Sequence, residues 1–96
     1  MSTLSIVVPV YHNQATLSEL HTRIAATCEG TSRIPFEVIY VDDGSADSSA
    51  RVLSLIAGSD ARARVITLSR NFGSQAAIMA GLAHATGSYV AMIAAD

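Results

Sequence analysis

The 96-residue sequence has no lysine, no tryptophan and a single cysteine, with two prolines and six glycines. Each shortage argues against a class of function. Six arginines face eight acidic residues, for a net charge of −2. That leaves no broad basic surface of the kind a phosphodiester backbone requires, which argues against nucleic acid as a partner. Cys28 can form no internal disulfide and belongs to no metal-binding cysteine pair, which suits a reducing, cytoplasmic setting. It reads as a buried or half-buried thiol on a helix. Apolar runs such as residues 6–10 and 76–80 fall far short of the roughly 20 residues a membrane-spanning helix needs. No positively charged leader precedes the first of them, so a secretory signal peptide is not expected.

What is present is apolar. Half the residues are hydrophobic and 15% are charged, the balance of one compact domain over 1–96 and not of a fibrous or disordered segment. At this length roughly 60–65% of the unfolded chain's surface is buried, enough for a modest core. Residues 4–11 and 36–41 are short, β-branched and almost wholly apolar, the pattern of strands buried on both faces. Residues 64–69 and 88–93 read as two further strands. Between them lie three helical patterns. The first spans about 15–29, with Leu17, Leu20, Ile24 and Cys28 on one face, Asn13 or Thr16 as cap and Gly30 as stop. The second has Asp47 in its first turn and Ala50, Leu53, Ile56 and Ala57 as its stripe. The third is the alanine-rich stretch 74–85, closed by Gly87. The order βαβαβαβ implies an α/β fold with a Rossmann-like parallel sheet and helices on both faces.

In open α/β sheets a ligand lies beyond the carboxyl ends of the strands. Four polar clusters fall there: Tyr11 to Asn13, Asp42 to Ser45, Arg70 to Gly73, and Asp96. The first turn, Tyr-His-Asn-Gln-Ala, has no glycine to admit a pyrophosphate, and no Gly-Lys-Ser or Gly-Lys-Thr occurs, so dinucleotide and P-loop readings fail. Any ligand is held by side chains and acidic groups. Side chains alternate along a strand, so Asp42 and Asp43 point apart, one toward ligand and the other into the turn. A carboxylate there can accept from the ring N–H of uracil or guanine, or from ribose hydroxyls; the plainer alternative has both capping the turn. Asp96 can approach a diphosphate only across a divalent cation. Arg70 suits a phosphate or Asp96, or is a solvated charge. His12 is placed to contact a base or to serve the turn. His21 and His84, on helices without a second ligand at metal spacing, read as solvated or core-edge residues, and Met79 and Met92 as packing. The sequence ends at Asp96, at a strand's carboxyl end, and reads as a fragment whose uncovered apolar surface would pair with another chain, as in a homo-oligomer.

Five segments carry a resemblance: Ile-Val-Val-Pro-Val-Tyr (6–11), Val-Asp-Asp-Gly-Ser-Ala-Asp-Ser (41–48), Leu-Ser-Arg-Asn-Phe-Gly (68–73), Ala-Ile-Met-Ala-Gly (77–81) and Ala-Thr-Gly-Ser-Tyr-Val (85–90). Over essentially its whole length the chain resembles family 2 glycosyltransferases, most closely the group that transfers sugars to polyprenyl phosphates. The resemblance implies the N-terminal half of a GT-A fold, a nucleoside-diphosphate-sugar donor with a UDP-sugar favoured, and Mg²⁺ or Mn²⁺. It also implies inversion as the sugar moves to a lipid phosphate at the cytoplasmic face of the inner membrane. The donor-binding set it implies is Pro9, Val10, Tyr11, Asn13, Asp42, Asp43, Gly44, Ser45, Arg70 and Asn71. Within it Pro9 and Tyr11 flank the base, Asp43 accepts from the base N–H, and Arg70 lies near the diphosphate.

Asp96 would be the second acid of the family's Asp-x-Asp metal motif. Two positions depart from the pattern: Tyr-Asn-Glu is replaced by Tyr11-His12-Asn13, and the first metal-motif acid falls on Ala94. Acceptor-binding residues and any catalytic base would follow residue 96. A phospho-receiver reading fails, because the acidic pair follows the second strand and the chain has no lysine. A non-catalytic nucleotide-binding or assembly module of the same fold is the alternative that Ala94 keeps open.

Overall fold

The computed structural model describes residues 3–32 and 35–95. Its elements run β1 (Leu4–Val10), α1 (Leu17–Thr27), a π-helical turn (Cys28–Ser32), β2 (Phe36–Asp42), α2 (Ser49–Ser59), β3 (Ala63–Thr67), α3 (Ser74–His84) and β4 (Tyr89–Met92). The four strands form one parallel sheet in the order β3-β2-β1-β4. The chain therefore steps from β1 to β2 to β3 in one direction and then crosses back over β1 to lay down β4. With right-handed crossovers, that reversal puts α3 on the opposite face from α1 and α2.

The alternation within β1 shows both layers. Ile6, Val8 and Val10 pack with Leu17 and Ile24 of α1, Leu53 and Ile56 of α2, and Val38 and Tyr40 of β2. Val7 joins Ile39, Val41 and Ala77 of α3 on the other face. Gly81 lets α3 lie close to the sheet, since a Cβ there would stand 2.4 Å from Cγ1 of Val7.

Pro9 sits in this central strand, where proline is unusual because it has no N–H to give the ladder. The register with β4 ends at Val7 paired with Met92, and Ile93 N–H closes it on the Val7 carbonyl at 3.1 Å. The next donor on that edge would be residue 9. Its missing N–H stops the ladder while β1 still pairs with β2 through Val10 and Asp42. The strands come apart there, at the point where the strand order reverses.

Several local expectations are corrected. Gly30 does not stop the first helix, which passes into π-helical geometry through Ser32. Thr16 is the N-cap of α1 as expected, but no side chain makes the capping bond: Asn13 Oδ1 accepts Tyr11 N–H at 2.8 Å, and the Thr16 hydroxyl donates to the Asn13 and Ala95 carbonyls at 3.2 and 2.9 Å. Asp47 precedes α2 and accepts Ser49 N–H at 3.0 Å. Gly87 lies past the end of α3, its N–H on Ser5 Oγ at 2.8 Å. Among the described residues no helix is long and apolar enough to cross a membrane.

Candidate functional site

The gap opened beyond Pro9 is a cleft of about 170 Å³ lined by Pro9, Val10, Tyr11, Asp43, Ser74, Ala94 and Ala95. Tyr11 forms an exposed wall and Asp43 an almost fully buried floor, 2% exposed. The opposite wall, Ala94 and Ala95, is pinned by the bond from Thr16 to the Ala95 carbonyl. The volume is below the roughly 300–1,000 Å³ of whole small-molecule sites, so the described cleft suits one moiety of a ligand, such as a base.

The two aspartates divide as the strand alternation requires. Asp42 turns inward, and its Oδ1 accepts Ser45 N–H at 3.0 Å, closing the turn. Asp43 turns toward the cleft, its Oδ1 accepting Phe72 N–H at 2.9 Å and its Oδ2 accepting Asn71 Nδ2 at 3.3 Å. A carboxylate offers about four acceptor positions, so two such bonds fix its orientation and leave capacity for a donor in the cleft. Gly44 makes that clamp reachable. Its φ of +72° is a left-handed conformation, and a Cβ would lie 2.4 Å from both the Arg70 carbonyl carbon and the Asn71 nitrogen. Glycine therefore allows the 70–72 segment to close over Asp43.

Of the residues singled out in the sequence, Pro9, Val10, Tyr11 and Asp43 come together in the cleft. Asn13, Asp42, Gly44, Ser45 and Asn71 build the loops around it. Asn13 N–H donates to Ser49 Oγ at 3.0 Å, and Ser45 Oγ accepts His12 N–H at 3.0 Å. The Arg70 guanidinium lies over the Phe72 ring, 5.0 Å from its centroid. Asp96 lies outside the described residues. Sequence reasoning missed Ser74, Ala95 and the Phe72 amide, and small apolar residues or backbone N–H groups carry no signature that could have flagged them.

The described residues do not by themselves fit a divalent cation: no three His, Cys, Asp or Glu side chains among them converge on one point, and the cleft holds one carboxylate.

Two other clusters of ionisable groups lie away from the cleft. On the α1 and α2 face, His21 joins the Tyr40 hydroxyl at 2.6 Å to Asp60 at 2.8 Å. Hydrogen bonds from Arg62 hold the Asp60 carboxyl well below the usual carboxylate range, while burial and the nearby Asp60 charge push the Tyr40 hydroxyl up. Burial also raises the Cys28 thiol. At the amino ends of the strands a wider cleft of about 270 Å³ contains Glu37, whose carboxylate is engaged by Ser5, Arg64 and Thr86. Both clusters tie elements together and leave the cleft beside Asp43 as the candidate site.

Comparison with known proteins identifies the family to which this fold belongs. Residues 5–96 match the family described as glycosyl transferase family 2. The undecaprenyl-phosphate 4-deoxy-4-formamido-L-arabinose transferases of Sodalis glossinidius and Klebsiella pneumoniae are 45% and 42% identical over 94 residues, covering 97% of this chain. The chain spans 28% of the length of those relatives. S. aureus TarS 1–349, solved in complex with UDP-GlcNAc, superposes over 98% of this chain and 26% of its own with a TM-score of 0.85 and 25% identity. The Pyrobaculum calidifontis mannosyltransferase PcManGT, solved with GDP-Man and Mn²⁺, shares the fold with a TM-score of 0.84 at 23% identity, over 97% of this chain and 27% of its own. The sheet is thus that of GT-A enzymes, and with the family match running from β1 to the last residue, the chain belongs to glycosyl transferase family 2.

Proposed function

We propose that this chain binds the donor in a glycosyltransferase that moves a sugar from a nucleoside-diphosphate sugar, UDP-linked by preference, to a polyprenyl phosphate with inversion at the anomeric carbon. The observation that carries the reading is the Asp43 carboxylate, oriented by Asn71 and Phe72 N–H toward a cleft walled by Tyr11. A buried, oriented carboxylate selects a ring N–H, which uracil and guanine both present. The undecaprenyl-phosphate relatives and the UDP-GlcNAc complex of TarS support the acceptor and donor classes.

In this reading Pro9 and Tyr11 flank the base, and Arg70 lies toward the diphosphate. A lipid phosphate is already an anionic nucleophile, so this segment need supply no general base; its residues bind and orient the donor. The only acid this chain offers a cation, Mg²⁺ or Mn²⁺, at the family's metal motif is Asp96, because Ala94 stands in the first acid's place. The whole protein would work at the cytoplasmic face of the inner membrane.

Calorimetric titration of UDP and GDP, each with and without Mn²⁺, tests the proposal. UDP binding that Mn²⁺ strengthens and that Asp43→Asn weakens at least tenfold is expected. No binding of either nucleotide at millimolar concentration overturns it and leaves a non-catalytic module of the same fold.

A further inference from the structure

Two loops meet beside the cleft, residues 11–14 after β1 and 45–49 before α2. Four hydrogen bonds join them, and every donor is a backbone N–H. His12 N–H donates to Ser45 Oγ at 3.0 Å, Asn13 N–H to Ser49 Oγ at 3.0 Å and Ser48 N–H to Gln14 Oε1 at 2.7 Å. The fourth is Ala46 N–H donating to His12 Nε2 at 2.9 Å. Two hydroxyls and an amide oxygen remain acceptors at any pH the fold survives. An imidazole nitrogen accepts only while it carries no proton, so this bond requires a neutral His12 ring with its hydrogen on Nδ1.

The residue is also held in an uncommon conformation. His12 has φ +55°, a left-handed backbone that a residue with a Cβ adopts only when its surroundings fix it. Its ring stacks on Tyr11 with centroids 4.0 Å apart and planes 22° from parallel, and Tyr11 is a wall of the cleft. One side chain thus links the Ala46 amide to the cleft's aromatic wall.

We propose that His12 is a positioning residue for the nucleotide cleft and works as a proton-operated latch. Neutral His12 holds the 45–49 loop to the 11–14 loop and keeps Tyr11 stacked at the cleft. Protonated His12 turns an N–H toward the Ala46 N–H, breaks that bond and loosens both loops. The charged group on the α2 side is Asp47, a half-buried residue whose Oδ1 accepts Ser49 N–H at 3.0 Å. From β1 the imidazole meets the Tyr11 ring. Asp42 and Asp43 at the end of β2 are engaged with Ser45, Asn71 and Phe72 N–H and make no hydrogen bond to the ring.

The consequence for the cleft rests on the donor reading above; the latch itself does not. Nitrogen-15 NMR of the 96-residue chain across pH 8 to 5 is expected to show Nε2 unprotonated at pH 8 and the Ala46 amide shift following the His12 ring titration. A protonated Nε2 at pH 8, or an Ala46 amide indifferent to the ring, overturns the proposal.

UDP is the probe for the second readout, with His12→Gln as the variant that keeps an acceptor at similar reach but gains no proton. The terminal phosphate of UDP titrates as well, so the two proteins are compared at each pH. Wild-type affinity is expected to fall about fivefold more than that of the variant between pH 8 and 5.5, the worth of one neutral hydrogen bond. Identical pH slopes overturn the latch. If UDP binds neither protein at any pH, the donor reading fails and the Ala46 titration alone decides the latch.

Discussion

Glu37→Gln is expected to cost this fold about 3 kcal/mol near neutral pH and almost nothing in strong acid. The Glu37 carboxylate accepts Ser5 Oγ at 2.6 Å, Thr86 N–H and Oγ1 at 2.9 Å each, and Arg64 Nη1 at 3.0 Å. Burial alone would raise its pKa, but these bonds outweigh burial and bring it from 4.5 down to about 2. The side chain is 16% exposed, so solvent screening takes little from the effect. At about 1.36 kcal/mol per pH unit, that depression is worth about 3 kcal/mol, a large share of the roughly 5–15 kcal/mol that holds a domain together. The sign follows from a folded-state pKa below the unfolded one. The stabilisation is complete above the unfolded value of about 4.5 and drains away as pH falls through about 2. Urea unfolding followed by far-ultraviolet circular dichroism, run from pH 7 to 2.5, checks this. The wild type should start about 3 kcal/mol above the variant and lose most of that lead by pH 2.5. A gap that stays constant with pH, or stays below about 0.5 kcal/mol at pH 7, would refute the reasoning.

Other substitutions test single contacts. Gly44→Ala brings a Cβ to 2.4 Å from the Arg70 and Asn71 backbone at φ +72°; a loss of about 3 kcal/mol or more in thermal unfolding is expected, with weaker UDP binding because the Asn71 clamp on Asp43 must shift. Gly81→Ala sets helix propensity, which favours alanine by about 1 kcal/mol, against a 2.4 Å contact with Val7; net destabilisation of about 1–3 kcal/mol is expected in urea, and a more stable variant would refute the close packing of α3. Tyr40→Phe removes the hydroxyl 2.6 Å from His21 Nδ1 and should cost about 1–2 kcal/mol, a loss absent when His21→Leu is already present.

The strand and helix order was legible because each buried strand is a short apolar run and each helix shows its stripe, as Leu53 and Ile56 do in α2. The division of labour between Asp42 and Asp43 was legible because it follows from strand alternation alone. Strand order was not, since nothing local in 88–93 says that β4 pairs with β1 and not β3. Gly44 looked like an ordinary turn glycine; its second role, admitting Arg70 and Asn71, depends on residues more than 25 positions away. Glu37 carried no signal and His21 read only as a solvated or core-edge residue, because their partners, Thr86 and Asp60, lie 49 and 39 positions along the chain. The end of α1 was misplaced because glycine only disfavours helix by about 1 kcal/mol, and the chain continues through Gly30 in wider π-helical turns.

The lack of tryptophan gives the tyrosines an optical meaning. Tyr40 is fully buried with its hydroxyl on His21, whereas Tyr11 is 46% exposed at the cleft and Tyr89 is 63% exposed on β4. Near-ultraviolet circular dichroism depends on rings held in fixed asymmetric surroundings, so its tyrosine band in this protein reports chiefly on the seam between α1 and β2. A nucleotide entering beside Tyr11 would change a different and more exposed chromophore. Loss of the fold and occupation of the cleft therefore carry separate spectral signatures in the unlabelled protein.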